Sequence, residues 1–120
     1  MGTGPSVLLV EDEALVAWDL ALQLEEMGVR VVGPFHALDE ALTAAGSESY
    51  DAAMLDINLG KERVWPLADY LHARGYPLLF ISADFDPAAI AASYPTARTL
   101  AKPIDRGAVR PFIESLSIEA

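Results

Sequence analysis

Five short apolar runs recur along this chain, and each is followed by a segment whose apolar residues return at helical spacing. The runs fall at residues 7–10, 29–33, 51–57, 78–81 and 98–101. Strands separated by helices cannot pair as tight hairpins, so the pattern predicts parallel strands with helices packed on both faces. The first run, Val7-Leu8-Leu9-Val10, is continuously apolar, as expected for a strand covered on both sides.

The segments between the runs agree with that frame. Val16, Leu20, Leu24 and Met27 form one stripe of a helix over residues 14–27, with Leu15 and Leu22 beside it and Gly28 as its stop. Gly33-Pro34 is expected to end the second strand, and Gly46 to close a short helix over residues 38–45. Residues 58–61 read as a loop. Trp65-Pro66 opens a third helix carrying Val64, Leu67, Ala68 and Leu71, and Gly75 ends it. Asp86-Pro87 has the form of an N-cap followed by a first-turn proline, and Tyr94-Pro95 should break the alanine-rich helix that follows. Val109, Phe112, Ile113 and Leu116 mark the last helix. Trp18, Met27 and Met54 are expected to be packed, His36 and His72 exposed, and Glu25-Glu26 solvated.

Bulk numbers narrow the function. A chain of 120 residues that is 52% hydrophobic can build one core. It has no cysteine, so disulfides and thiolate metal sites are excluded. No apolar run approaches the roughly 18 residues of a membrane helix, and residues 1–5 do not resemble a secretory signal. No membrane association and a cytoplasmic location are the expectation. The 18 acids against 8 bases give a net charge of −10, which repels nucleic acid.

The residues that carry chemistry stand where the apolar runs end. Glu11 and Asp12 follow the first run, Asp56 the third, Ser82 the fourth, and Lys102 the fifth, just before Pro103. In an open parallel sheet all five side chains gather at the carboxyl edge, where such sheets bind ligands. About 45 residues separate the acid pair from Asp56, and about as many separate Asp56 from Lys102. One strand-end carboxylate is commonly a helix cap. Three with a lysine in register are not explained by capping.

An acid pair, a lone aspartate, a hydroxyl and a lysine in this order resemble the receiver domain of two-component response regulators, over residues 7–116. The resemblance implies an α/β, doubly wound, flavodoxin-like (βα)5 fold with strand order 2-1-3-4-5. It implies one receiver domain over residues 1–120, with a core at about 6–118 and no output domain. It makes Asp56 the phosphoacceptor, served by a sensor histidine kinase or a histidine phosphotransfer protein. Mg²⁺ or Mn²⁺ would be held by Glu11, Asp12, Asp56 and the backbone carbonyl of Asn58. Lys102 and Ser82 would contact phosphoryl oxygens, and the Lys102–Pro103 bond would be cis. Output would be by protein contact, or the domain would act as a phosphate sink. Homodimerisation would use the face of the fourth helix, fifth strand and fifth helix.

The switch differs from the common receiver pattern. Thr99 stands where many receivers carry a mobile aromatic. Phe80-Ile81-Ser82-Ala83-Asp84-Phe85 is similar to the Phe-Ala-Thr-Gly-x-Tyr motif of stand-alone receivers found in alphaproteobacterial signalling. Val32-Gly33-Pro34, Asp56-Ile57-Asn58-Leu59-Gly60 and Trp65-Pro66-Leu67-Ala68-Asp69 are similar to that branch as well. Phe85 then becomes the expected mobile element. Three other readings compete. A haloacid-dehalogenase-like phosphatase would need a second aspartate where Asn58 stands. A flavodoxin-like carrier would place FMN phosphate against Glu11, Asp12 and Glu13. A degenerate receiver would bind partners without phosphorylation.

Overall fold

The computed structural model describes residues 4–117. In chain order the elements are β1 (Ser6–Val10), α1 (Ala14–Glu26), β2 (Arg30–Phe35), α2 (Leu38–Ser47) and β3 (Ala52–Asp56). A two-strand ribbon follows, β4 (Asn58–Leu59) and β5 (Glu62–Arg63), and then α3 (Trp65–Ala73). β6 (Leu78–Ser82), α4 (Pro87–Ser93), β7 (Arg98–Ala101) and α5 (Arg110–Ser117) complete the chain. Residues 1–3 and 118–120 lie outside the described residues, and the expected core limit at residue 118 falls among them.

Five strands form one parallel sheet in the order β2-β1-β3-β6-β7. Leaving out the ribbon, this is the expected 2-1-3-4-5. Side chains alternate between two cores. Leu8, Val10, Ala53, Leu55 and Phe80 join α2, α3 and α4 on one face. Val7, Leu9, Met54, Leu79 and Ile81 join α1 and α5 on the other. β3 lies mid-sheet and is buried along its whole length. The chain leaves β1 for the β2 side and returns across it to β3, so the winding reverses between the carboxyl ends of β1 and β3. That switch point is where a doubly wound sheet opens a crevice.

Local signals explain most element ends. Gly28 has φ +82° and Gly75 φ +79°, the left-handed conformation that ends a helix. Asp86 Oδ1 accepts a hydrogen bond from the Ala88 amide at 3.0 Å and caps α4.

Four expectations need correction. β2 does not end at Gly33-Pro34 but runs on to Phe35 through a cis Gly33–Pro34 bond. Gly33 has φ +115°, and a Cβ there would sit 2.8 Å from the Leu9 carbonyl oxygen. The strand can therefore bulge against β1 between Leu8 and Val10. Gly46 does not close α2, which reaches Ser47, because the Glu48 amide still bonds to the Ala44 carbonyl at 2.8 Å. Residues 58–61 are not a plain loop: Asn58 pairs with Arg63 and Leu59 with Glu62 around Gly60. Trp18 is 64% exposed rather than packed, with Leu15 at 81%. The face α1 turns to the sheet carries Ala17, Leu20, Gln23 and Leu24 instead.

Candidate acidic site at the carboxyl edge

Glu11 is the first residue beyond β1. Its amide donates to the Phe35 carbonyl at 2.9 Å, so the extra length of β2 fixes where the acidic turn begins. His36 Nδ1 lies 2.9 Å from the Glu11 carbonyl and braces the same turn. The Glu11 side chain is buried, and its Oε2 accepts from the Glu13 amide at 3.0 Å. Asp12 points toward the β4–β5 ribbon and accepts the Gly60 amide at 3.0 Å. Asp56, the last residue of β3, is 3% exposed, with Oδ1 accepting from the Asn58 amide at 3.2 Å.

Lys102 reaches into this group from the end of β7. Its amide bonds to the Ser82 carbonyl at 2.9 Å, and the Lys102–Pro103 bond is cis. Its Nζ lies 3.0 Å from Glu11, 3.0 Å from Asp56 and 2.7 Å from Glu13. One carboxylate oxygen from each of Glu11, Asp12, Glu13 and Asp56 falls within 4.8 Å of the others. Glu11 Oε1 is buried without a hydrogen-bond partner among the described residues, with the Lys102 ammonium 3.0 Å away.

These placements set the electrostatics. Burial, reinforced by Asp56, pushes the Glu11 carboxyl up to about 8. Burial also raises Asp56, against the opposing pull of its contacts with Glu11 and Lys102. Burial raises Asp12, but the Gly60 amide, Asp56 and Lys102 together outweigh it and lower its pKa. Burial alone would lower Lys102, but its bonds to Glu13, Glu11 and Asp56 outweigh that and raise it. Three of the four carboxyls therefore share one ammonium. The donor set is all oxygen, convergent and carries one orphaned buried oxygen, which fits a small hard divalent cation.

Glu11, Asp12, Asp56 and Lys102 are thus brought together as the sequence placed them. Ser82 is fully buried one step away. Its Oγ donates to the Asp84 carbonyl at 3.1 Å and accepts from the Asp84 amide at 3.3 Å and the Asn58 side-chain amide at 3.4 Å. Phe85 is half-buried against the α3/α4 core, not against the acids. Thr99 is half-buried on β7, in register with Phe80 and two residues short of the edge. Sequence reasoning missed Glu13 as the third partner of Lys102 and the Asn58 side chain as the bridge to Ser82. Its only clue to Glu13 was adjacency to the acid pair.

A parallel doubly wound sheet with an acidic crevice at its switch point and a lysine closing it places the chain among the α/β domains that build their site at the carboxyl edge. The family model of the response regulator receiver domain matches residues 7–114. The chain belongs to that family. Solved structures agree. The signal receiver domain of a modulated diguanylate cyclase from Desulfovibrio desulfuricans G20 is 31% identical, with TM-score 0.80, over 97% of this chain and 95% of that one. The response regulator PhyR from Brucella abortus is 26% identical, with TM-score 0.81, over 98% of this chain but 49% of its own. The receiver domain of sensor histidine kinase PA1611 from Pseudomonas aeruginosa PAO1 shares the fold at 22% identity and TM-score 0.80, over 95% and 98% of the two chains. That structure has a magnesium ion coordinated in its active site cleft. A comparison with curated proteins finds no match. No helix among the described residues is long and apolar enough to cross a membrane.

Proposed function

We propose that Asp56 accepts a phosphoryl group from the phosphohistidine of a sensor histidine kinase or a histidine phosphotransfer protein. The carboxylate attacks phosphorus, a P–O bond forms as the P–N bond breaks, and the histidine leaves as neutral imidazole after taking a proton. Glu11, Asp12, Asp56 and the Asn58 carbonyl would hold Mg²⁺ or Mn²⁺. Such an ion supplies positive charge to the transferring oxygens. Lys102 gives up part of its hold on the acids to neutralise one phosphoryl oxygen. Ser82 turns its hydroxyl from the Asp84 carbonyl to another. The geometry that carries this reading is the 3.0 Å contact between Lys102 and Asp56 inside a convergent acid cluster.

The donor must cover the site's mouth. A surface of Leu15, Val16, Pro103 and Ile104 opens beside Lys102 and Glu13, and the exposed Trp18 and Leu22 continue it along α1. That surface is apolar enough for a donor to bury. We further propose that residues 1–120 act as one cytoplasmic signalling unit, by protein contact or as a phosphate sink, with the α4-β7-α5 face available for dimerisation. Every group the transfer needs is present, so a phosphorylation-independent binding module is the weaker reading.

Acetyl phosphate with Mg²⁺ tests the core of this proposal, with intact mass as the readout. Wild type should gain one phosphoryl group and Asp56→Asn none. No adduct on wild type, or equal adducts on both, would overturn it.

A further inference from the structure

A second concave surface lies beyond the acidic site, between α3 and α4. It encloses about 520 Å³, within the range of small ligand pockets. Ala89, Ile90 and Ser93 of α4 line it together with Asp86 and Tyr94, which flank the helix, at spacing i, i+3, i+4, i+7, i+8. That is one complete face of the helix. α4 has seven residues, about 10 Å of helix at 1.5 Å per residue. An extended segment of three or four residues spans that length.

The floor is aromatic and already braced. Trp65 stacks on Tyr94 at 6.0 Å and 17°. The Tyr94 hydroxyl donates to Asp69 at 2.6 Å, and Phe80 packs beneath with ring centroids 5.1 Å away. Trp65 and Phe85 remain half-exposed within the groove. The rim carries Asp69, Asp84 and Asp86 against Arg63 alone. No ion pair among the described residues neutralises Asp84 or Asp86. Aromatic floors with a polar rim are the anatomy of protein interfaces. The excess of acid selects a cationic occupant, and it disfavours a second copy of a chain whose net charge is −10.

We propose that this groove takes a short cationic, apolar segment of a partner protein. One aliphatic or aromatic side chain rests on Trp65 and Phe85, and Lys or Arg residues face Asp84 and Asp86. The same loop joins the groove to the acidic site, since Ser82 Oγ is bonded to the Asp84 backbone while Phe85 walls the groove. Segment affinity therefore changes when Ser82 is drawn toward Asp56. This coupling rests on the phosphoacceptor reading; the binding itself does not.

The test is an amide-shift titration of isotope-labelled protein with acetyl-Arg-Leu-Arg-Trp-Arg-amide and with its counterpart carrying Glu for each Arg. The Arg peptide should shift the amides of residues 65, 69, 84–86 and 88–94, and the Glu peptide should bind at least about tenfold more weakly. Ala89→Lys, an exposed position on the groove face, should abolish binding while leaving acetyl phosphate labelling intact. Asp84→Asn should weaken binding about threefold, in line with the loss of one rim charge. No shifts, shifts centred elsewhere, equal binding of both peptides, or full binding by Ala89→Lys would overturn the proposal. So would groove shifts on raising protein concentration alone, which would make the occupant a second copy. Unchanged peptide affinity in protein shown by mass to be phosphorylated would overturn the coupling. Failure to label would instead count against the phosphoacceptor reading.

Discussion

Replacing Glu11 with Gln should make the metal-free protein more stable at pH 8 while costing it its divalent-metal response. Glu11 is 1% exposed, and burial holds its carboxyl at about 8 against 4.5 for the free group. Between those values the native state keeps a proton that the unfolded chain has lost. The native state then binds more protons, so unfolding free energy falls as pH rises across that window. At about 1.4 kcal/mol per pKa unit the limiting loss is roughly 4–5 kcal/mol. Glu11 shares its environment with Asp56 and Lys102, so an observed loss of about 2–3 kcal/mol is expected. An amide keeps the size of the side chain and cannot titrate. Urea unfolding in EDTA at pH 5, 6.5 and 8 measures the difference. The wild-type midpoint should drop with pH, and that of Glu11→Gln should drop much less. Adding Mg²⁺ at pH 8 should raise the wild-type midpoint and leave the variant nearly unmoved. Titration of groups away from the site is common to both proteins and cancels. Parallel stability curves for the two would refute the claim that Glu11 is a buried, strained carboxyl of the site.

Three further outcomes follow from the packing. Gly33→Ala should destabilise by about 1–3 kcal/mol, because its φ of +115° and the nearby Leu9 carbonyl leave no room for a Cβ. Since the same strand segment pins Glu11, the variant should also bind Mg²⁺ more weakly by calorimetry. Tyr94→Phe removes a 2.6 Å hydrogen bond to the exposed Asp69 in a part-buried setting and should lower stability by about 1 kcal/mol in urea. Phe85→Ala should keep acetyl phosphate labelling by intact mass but flatten the change in partner-segment affinity on phosphorylation. An unchanged response would remove Phe85 from the switch.

The sequence showed the site more fully than it showed the local turns. Glu11, Asp12, Asp56 and Lys102 could be placed because parallel strands put every carboxyl end on one edge, and residues just past apolar runs inherit that position. Gly33-Pro34 misled because a turn and a bulged strand use the same residues. Which one forms depends on the Leu9 carbonyl lying alongside, a tertiary fact. Gly46 misled in the same way: glycine permits a helix to stop but does not force it while the next amide still finds its carbonyl. Trp18 was expected to pack, yet α1 offers the sheet the small Ala17. Glu13 was invisible as a ligand of Lys102 because the lysine's reach is set by β7 and the turn at Pro103, 89 positions away.

The charge arrangement also explains why one lysine can serve two roles. In the metal-free state Lys102 is the shared counterion of Glu11, Glu13 and Asp56, and without it two nearly buried carboxyls would face each other. On the proposed reading, Glu11, Asp12 and Asp56 would hold a divalent ion that takes over that neutralisation and leaves the ammonium free for an incoming anion. Binding would then be ordered, metal first and phosphoryl second. Affinity of Asp56 for a phosphoryl mimic such as beryllium fluoride should therefore rise with Mg²⁺ concentration and saturate with it. Lys102→Ala should weaken capture of the mimic while leaving Mg²⁺ affinity intact or stronger, because a competing cation has gone. Loss of Mg²⁺ binding in Lys102→Ala would mean instead that the lysine builds the acid cluster rather than waiting in it.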